Sequence, residues 1–129
     1  MRVYETVVYG DDLGAMAGFY ADVLGLRLVD ADELVLAFRL DGGALLLVFD
    51  PAVSSAAGRR VPSHGAPGAG HVAFAVEPGE LDWWKDRFRD AGVPIEQEIE
   101  WGGDRGRSLY VRDPAGNSVE LVDGDMWPR

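Results

Sequence analysis

The sequence predicts an α+β fold of two βαβββ modules whose curved mixed sheets form a cleft. Three observations lead there. The element pattern strand–helix–strand–strand–strand occurs twice along the 129 residues. The two copies overlay, Glu5 on His71, Gly25 on Gly92 and Gly43 on Gly116, with the offset growing only in loops. Between them runs a stretch rich in Pro, Gly and Ser, with neither a helical nor a strand period.

Val3–Tyr9, with its β-branched and aromatic residues, reads as the first strand. Asp11 and Asp12 can cap the helix that follows, in which Leu13, Met16, Ala17, Tyr20 and Leu24 share one face; Gly25 fits its end. Strand-like runs then cover Leu26–Val29, Glu33–Leu40 and Ala44–Phe49, the last two joined by Asp41-Gly42-Gly43, a hairpin signal. Asp50 to Gly70 is expected to be a linker or mobile surface loop outside the cleft. The second copy starts with a strand at His71–Val76. Pro78 and Glu80 open a helix with Leu81, Trp84, Phe88 and Ala91 on one face, so Trp84 is expected in the core and Gly92 at the end. Pro94–Glu100, Ser108–Arg112 and Asn117–Val122 are the remaining strands, the last two linked by Asp113-Pro114-Ala115-Gly116. In each copy one apolar sheet face lies under a helix, and the other must be covered by the second copy. The expected organisation is one domain: module one at 1–50, a linker at 51–69 and module two at 70–129.

Composition narrows the function. Twenty-two acidic side chains against 12 basic ones leave a net charge of −10, which repels polyanions and argues against nucleic-acid or anionic-membrane partners. No apolar run approaches the ~20 residues needed to cross a bilayer. There is no cysteine, which excludes disulfides, Cys-bound zinc, iron–sulfur clusters and thiol nucleophiles. The N-terminus lacks the basic start and apolar stretch of a signal peptide, so a cytoplasmic location is expected. No phosphate loop, dinucleotide fingerprint or nucleophile elbow is present.

The carboxylate of Glu120 stands in the otherwise apolar run Val119-Glu120-Leu121-Val122, where an unpaired charge is costly. His71 likewise opens an apolar strand. A buried carboxylate needs a cation or a proton as its partner. Taken singly, a His at a strand start is usually a hydrogen-bonded core residue, and a Glu in a strand usually faces solvent.

Asp11-Asp12-Leu13, Phe19-Tyr20-Ala21-Asp22-Val23-Leu24-Gly25, Gly70-His71-Val72-Ala73-Phe74 and Asp113-Pro114-Ala115-Gly116-Asn117-Ser118-Val119-Glu120-Leu121 together resemble the vicinal oxygen chelate superfamily over nearly the whole chain. That superfamily includes glyoxalase I, extradiol dioxygenases, fosfomycin-resistance transferases and metal-free bleomycin-binding proteins, so the fold does not choose the chemistry. The resemblance implies metal positions on the first and fourth strand of each module, here Glu5, Leu47, His71 and Glu120. Leu47 cannot ligate, so Glu5, His71 and Glu120 are the candidate ligands. One nitrogen and two carboxylates suit Mn²⁺, Fe²⁺, Mg²⁺, Zn²⁺ or Ni²⁺ over copper. Three protein ligands leave positions open for a substrate with adjacent oxygens, and a bound metal would act as a Lewis acid. This three-position pattern is shared with the dioxygenases and fosfomycin transferases, whose first position is normally His.

The same resemblance gives Tyr110 two readings, a residue beside the substrate oxygen or an ordinary strand aromatic. His64, in the glycine-rich stretch, is a general base, a replacement ligand or a merely exposed side chain. Trp101, Arg105 and Arg107 around Gly102, Gly103 and Gly106 form either a lip that binds an anionic substrate or a solvated connection. Two function classes result. One is a divalent-metal-dependent enzyme for a small oxygen-rich molecule, by isomerisation or lysis, ring cleavage or thiol addition to an epoxide. The other is a metal-free protein that sequesters a cationic antibiotic. Sheet edges to cover, together with the habits of the family, predict a homodimer, swapped or unswapped.

Overall fold

The computed structural model describes residues 1–128. The fold is α+β, built on two four-stranded mixed sheets. The chain divides into one unit of Met1–Gly70 with Pro114–Asn117 and a second of His71–Asp113 with Ser118–Arg129.

In the first unit the strands are β1 (Glu5–Tyr9), β2 (Arg27–Ala31), β3 (Val35–Arg39) and β4 (Leu45–Phe49), in the order β1-β4-β3-β2. β1 and β4 run parallel and the other pairs antiparallel. Alternation along the strands puts Val8, Leu36, Phe38, Leu46 and Val48 on one buried face. Helix α1 (Leu13–Ala17) starts where Asp12 accepts a hydrogen bond from the Ala15 amide at 2.9 Å. It is shorter than its periodicity predicts. From Gly18 to Val23 the chain widens into a π-turn, with the Leu24 amide donating to the Phe19 carbonyl at 3.0 Å. The widening brings Met16, Phe19, Tyr20 and Leu24 into the core together, so Phe19, which lies off the predicted face, is buried. Tyr20 is fully buried, its ring 5.8 Å from that of Phe38.

The Asp50–Gly70 stretch is not a featureless linker. Asp50 caps a one-turn helix, α2 (Pro51–Ser54), by accepting from the Ala52 amide at 2.9 Å, with Pro51 in the first turn. The Ser54 carbonyl then accepts from the Arg59 guanidinium at 2.7 Å and from the His64 amide at 3.0 Å, which folds the stretch back onto the first unit.

In the second unit β5 (His71–Ala75), β6 (Gln97–Glu100), β7 (Arg107–Arg112) and β8 (Ser118–Asp123) take the order β5-β8-β7-β6. β5 runs parallel to β8, as β1 does to β4. The helix α3 (Leu81–Asp90) buries Leu81 and Phe88 completely against the face that carries Leu109, Val111, Val119 and Leu121. Trp84, expected in the core, is only half-buried and Ala91 is exposed, because the helix rests on the sheet through its first and last turns. The β6–β7 connection is fixed by Gly106 at φ +87°: a Cβ there would lie 1.9 Å from the Asp123 carbonyl oxygen.

Candidate functional site

The strand registers build the site. Glu120 pairs with Tyr110 across β7–β8 and with Ala73 across β5–β8, and His71 pairs with Ser118. Alternation then gives His71, Glu120, Tyr110 and Ser108 one common sheet face, the one that α3 does not cover.

Glu120 is buried, its side chain only 4 % exposed, while His71 is half-exposed at 51 %. The two carboxylate oxygens of Glu120 have different neighbours. Oε1 accepts from the Tyr110 hydroxyl at 2.8 Å. Oε2 lies 3.3 Å from Nε2 of His71. His71 Nδ1 lies 3.1 Å from the Ser118 carbonyl oxygen, and a carbonyl only accepts, so Nδ1 carries a proton. In a neutral imidazole Nε2 is then a lone pair aimed at a carboxylate oxygen. Two electron-pair donors at that separation are held together by a proton or by a metal cation. The spacing is also what two metal bonds of ~2.0–2.2 Å subtend at one ion, and a ligating His usually gives its other N–H to such a carbonyl. The His71–Glu120 pair therefore fits a divalent metal.

Burial, then the hydrogen bond to Glu120 and that residue's negative charge, raise the Tyr110 phenol above its ordinary value of 10.0, against a lowering by a hydrogen bond from Ser108. Tyr110 is therefore a protonated donor at neutral pH. The His71 and Tyr110 rings stack at 6.5 Å.

The other sequence candidates have their own surroundings. Glu5 opens β1 in the first unit and is exposed, paired in register with Leu45. Among the described residues no group of three or more His, Asp or Glu gathers to hold a metal. Leu47, the position without a donor, is half-buried and pairs with Val7 and Ala37. His64, for which a general base, a replacement ligand and a merely exposed side chain are the three readings, is half-buried. Its Nδ1 is 2.7 Å from the Tyr9 hydroxyl, and its ring meets the edge of Phe49 at 4.7 Å. Arg107 lies on the α3 face of its sheet, opposite His71 and Glu120, with Asp82 and Glu98 each 3.8 Å away. Strand alternation turns it away from the pair, so it makes no lip over it. Trp101 follows β6 and donates its indole N–H to Ser108 Oγ at 2.7 Å, a structural contact in place of a free clamp.

Sequence reasoning passed over Ser108. It is fully buried, and alternation with Tyr110 was the signal that could have found it. The Ser118 carbonyl is a backbone group with no sequence signal at all.

Comparison with known proteins gives the fold its relatives. A lactoylglutathione lyase from Agrobacterium tumefaciens superposes with a TM-score of 0.89 at 41% identity, over 98% of this chain and 96% of that one. The metallothiol transferase FosB of Bacillus licheniformis is 28% identical over 119 residues, 92% of this chain and 72% of its own length. The putative ring-cleaving dioxygenase MhqE of Bacillus subtilis is 32% identical over 93 residues, 65% of this chain and 29% of its own length. All three relatives are named as enzymes. A family profile described as the Glyoxalase/Bleomycin resistance protein/Dioxygenase superfamily matches residues 2–121, and the chain belongs to that superfamily.

Proposed function

We propose that this protein is a divalent-metal-dependent enzyme acting on a small oxygen-rich molecule, with His71, Glu120 and Glu5 as the metal ligands. The observation that carries the proposal is the His71 Nε2–Glu120 Oε2 pair at 3.3 Å, with a buried carboxylate on one side and an imidazole tied to the Ser118 carbonyl on the other. A metal bound there would supply Lewis-acid polarisation of adjacent substrate oxygens. The chain's own residues do the rest. The Ser118 carbonyl orients the His71 ring, Tyr110 holds Glu120 in one rotamer, and the raised phenol keeps a proton beside the site. His64, bonded to Tyr9, and Trp101, bonded to Ser108, support the scaffold in this reading.

The names of the relatives span a lyase, a thiol transferase and a ring-cleaving dioxygenase, and the reaction is proposed to fall among these kinds. The 41% identical lyase supports isomerisation or lysis, while Leu47 lacks the fourth donor of the glyoxalase I pattern and supports the three-ligand kinds. The functional particle is proposed to be a homodimer, with Glu5 coming from the same chain or from a second copy. Light scattering that returned a 14.0 kDa monomer at micromolar concentration would reject the dimer.

The test of the metal is elemental analysis of protein purified without chelator, followed by titration with Mn²⁺. Saturable binding at one ion per chain that is lost in His71→Ala supports the proposal. A metal-free preparation that takes up no Mn²⁺ at millimolar concentration overturns it. A second reading, sequestration of a cationic antibiotic without metal, is favoured by the net charge of −10 and by Leu47. It predicts drug binding that chelator and His71→Ala leave unchanged.

A further inference from the structure

We propose that Asn117 is a positioning residue for His71, a two-point clasp that closes the open end of the β5–β8 ladder and keeps the imidazole on the Ser118 carbonyl. The inference rests on the metal-site reading and adds to it a residue that is itself no ligand.

Asn117 immediately precedes β8 and is buried, 2 % exposed. Its Oδ1 accepts from the Gly70 amide at 2.8 Å, and its Nδ2 donates to the Tyr9 carbonyl at 2.9 Å. A backbone N–H only donates and a carbonyl only accepts, so the two partners fix which end of the side-chain amide is which. Both bonded residues adjoin the anchor of His71. Gly70 is joined to His71 itself, and Asn117 is joined to Ser118, whose carbonyl faces His71 Nδ1 at 3.1 Å. His71 and Ser118 are also the first register pair of the parallel β5–β8 ladder. The Gly70–Asn117 bond therefore lies one step beyond that pair.

The clasp meets a specific weakness. β5 is an edge strand and His71 is its first residue. Such chain ends open locally at little cost in free energy, and opening here would part Nδ1 from its carbonyl. The neutral imidazole would then carry its proton on Nε2, which lies 3.3 Å from Glu120 Oε2, and that nitrogen would no longer offer a lone pair to a metal. A bond between Gly70 and Asn117 opposes the opening. The Tyr9 end keeps the amide plane from turning, and Tyr9 is held in turn through its hydroxyl, 2.7 Å from His64 Nδ1. The first unit is the internal control. There Tyr4 and Ala44 occupy the places of Gly70 and Asn117, one step before the Glu5–Leu45 pair. A methyl group makes no clasp, and the Leu45 amide reaches the Tyr4 carbonyl at 3.0 Å instead. Of the two modules, the one with the histidine carries the side-chain bond.

The experiment reads the His71 ring in full-length protein without metal, by long-range ¹H–¹⁵N spectra at about pH 9, above the ordinary imidazole value of about 6.5. The chain has two histidines, and His71→Ala assigns them by the loss of one. In the wild type Nδ1 should carry the proton. At about pH 6 the Gly70 amide should exchange with water more slowly than those of Gly68 and Ala69, as a bonded N–H does. Asn117→Ala should move the ring proton toward Nε2 and abolish the protection of Gly70. It should also weaken Mn²⁺ binding by about tenfold, in the range of outer-sphere substitutions. Gly42→Ala strains a left-handed turn at φ +81° that faces open space, so it controls for mere loss of stability and should leave all three readouts unchanged. A bare Nδ1 or an unprotected Gly70 amide in the wild type overturns the clasp. So does an Asn117→Ala ring that matches the wild type, or a Gly42→Ala that weakens Mn²⁺ binding as much as Asn117→Ala. Wild-type protein that binds no Mn²⁺ removes the metal reading alone, since the ring and the Gly70 amide are read without metal. Those two wild-type readouts need no variant, so the decision stands even if Asn117→Ala fails to fold.

Discussion

At matching registers the two modules carry opposite chemistry. In module two Ala73, Glu120 and Tyr110 lie in one row across β5, β8 and β7; in module one that row is Val7, Leu47 and Ala37. One step along, His71–Ser118–Arg112 corresponds to Glu5–Leu45–Arg39. The backbone registers are the same, so the duplicated scaffold imposes the positions and not the residues. Module two has kept a buried carboxylate with a phenol and an imidazole around it. Module one has hydrocarbon at the two inner positions and an exposed Glu5 at the first. A sheet face can hold a buried charge only where neighbours satisfy it, and only module two supplies them. The modules also differ after their fourth strands. Module one turns at Asp50-Pro51 into α2, whereas in module two Asp123 and Gly124 pass close against Gly106.

That last difference predicts the largest effect on stability. Gly106→Ala forces a left-handed φ on a residue with a Cβ and drives that atom into the Asp123 carbonyl, so unfolding by urea should show a loss of at least ~3 kcal/mol. Gly116→Ala, also left-handed but facing open space, should lose only about 1 kcal/mol. Equal losses would mean that the close approach contributes nothing.

Making module two like module one comes next. Glu120→Leu should weaken Mn²⁺ binding by a factor of about 100 or more, roughly 2.8 kcal/mol, while circular dichroism stays native. Retained affinity would move the metal elsewhere. The reciprocal change, Leu47→Glu, places a carboxylate where no phenol or imidazole waits at the matching register. It should destabilise the fold by about 1–3 kcal/mol. A neutral Leu47→Glu would show that the first module's face tolerates charge, and the contrast between modules would collapse.

The smallest effect compares two arginines at the same register. Arg39 donates to the Gly43 carbonyl at 2.8 Å, a partner that does not titrate. Arg112 reaches the Glu96 carboxylate through its Nη2 at 2.9 Å, and this hydrogen bond holds the Glu96 carboxyl below its ordinary range. A depressed folded-state pKa gives stability that is present above the unfolded value and is lost as pH falls through the folded one. Stability should therefore drop as pH is lowered below about 4, the ordinary glutamate region, and Glu96→Gln should flatten that drop slightly. Arg39→Gln should leave the slope unchanged. Identical slopes in all three proteins would show that the exposed pair contributes nothing to folding.

Much of this was legible in the chain itself. Strand alternation, the helix periods, Asp12 and the Asp41-Gly42-Gly43 turn placed the elements, since each is a local property of a few adjacent residues. The duplication followed from comparing those local patterns. The same logic identified Glu120 as a carboxylate in an apolar strand. The π-turn at Gly18–Val23 was not legible, because the extra width is selected by fitting Phe19 and Tyr20 into one core. Nor was the folding back of Asp50–Gly70, which depends on the Ser54 carbonyl meeting Arg59 and His64. Arg107 shows why residue type alone misleads: alternation put it on the helix face, where Asp82 and Glu98 neighbour it.

By itself the sequence determined the two-module fold and the residue types that could meet a cation, while Leu47 stands out as a position without a donor only through the family resemblance. Tertiary structure alone decided that Glu120 gives one oxygen to Tyr110 and the other to His71, that the Ser118 carbonyl orients the imidazole, and that the Trp101 indole donates to Ser108. The physical reason is directionality. Burial and period are scalar properties that a linear pattern carries, whereas a hydrogen bond needs a donor, an acceptor and an angle, and those exist only once distant strands are laid side by side.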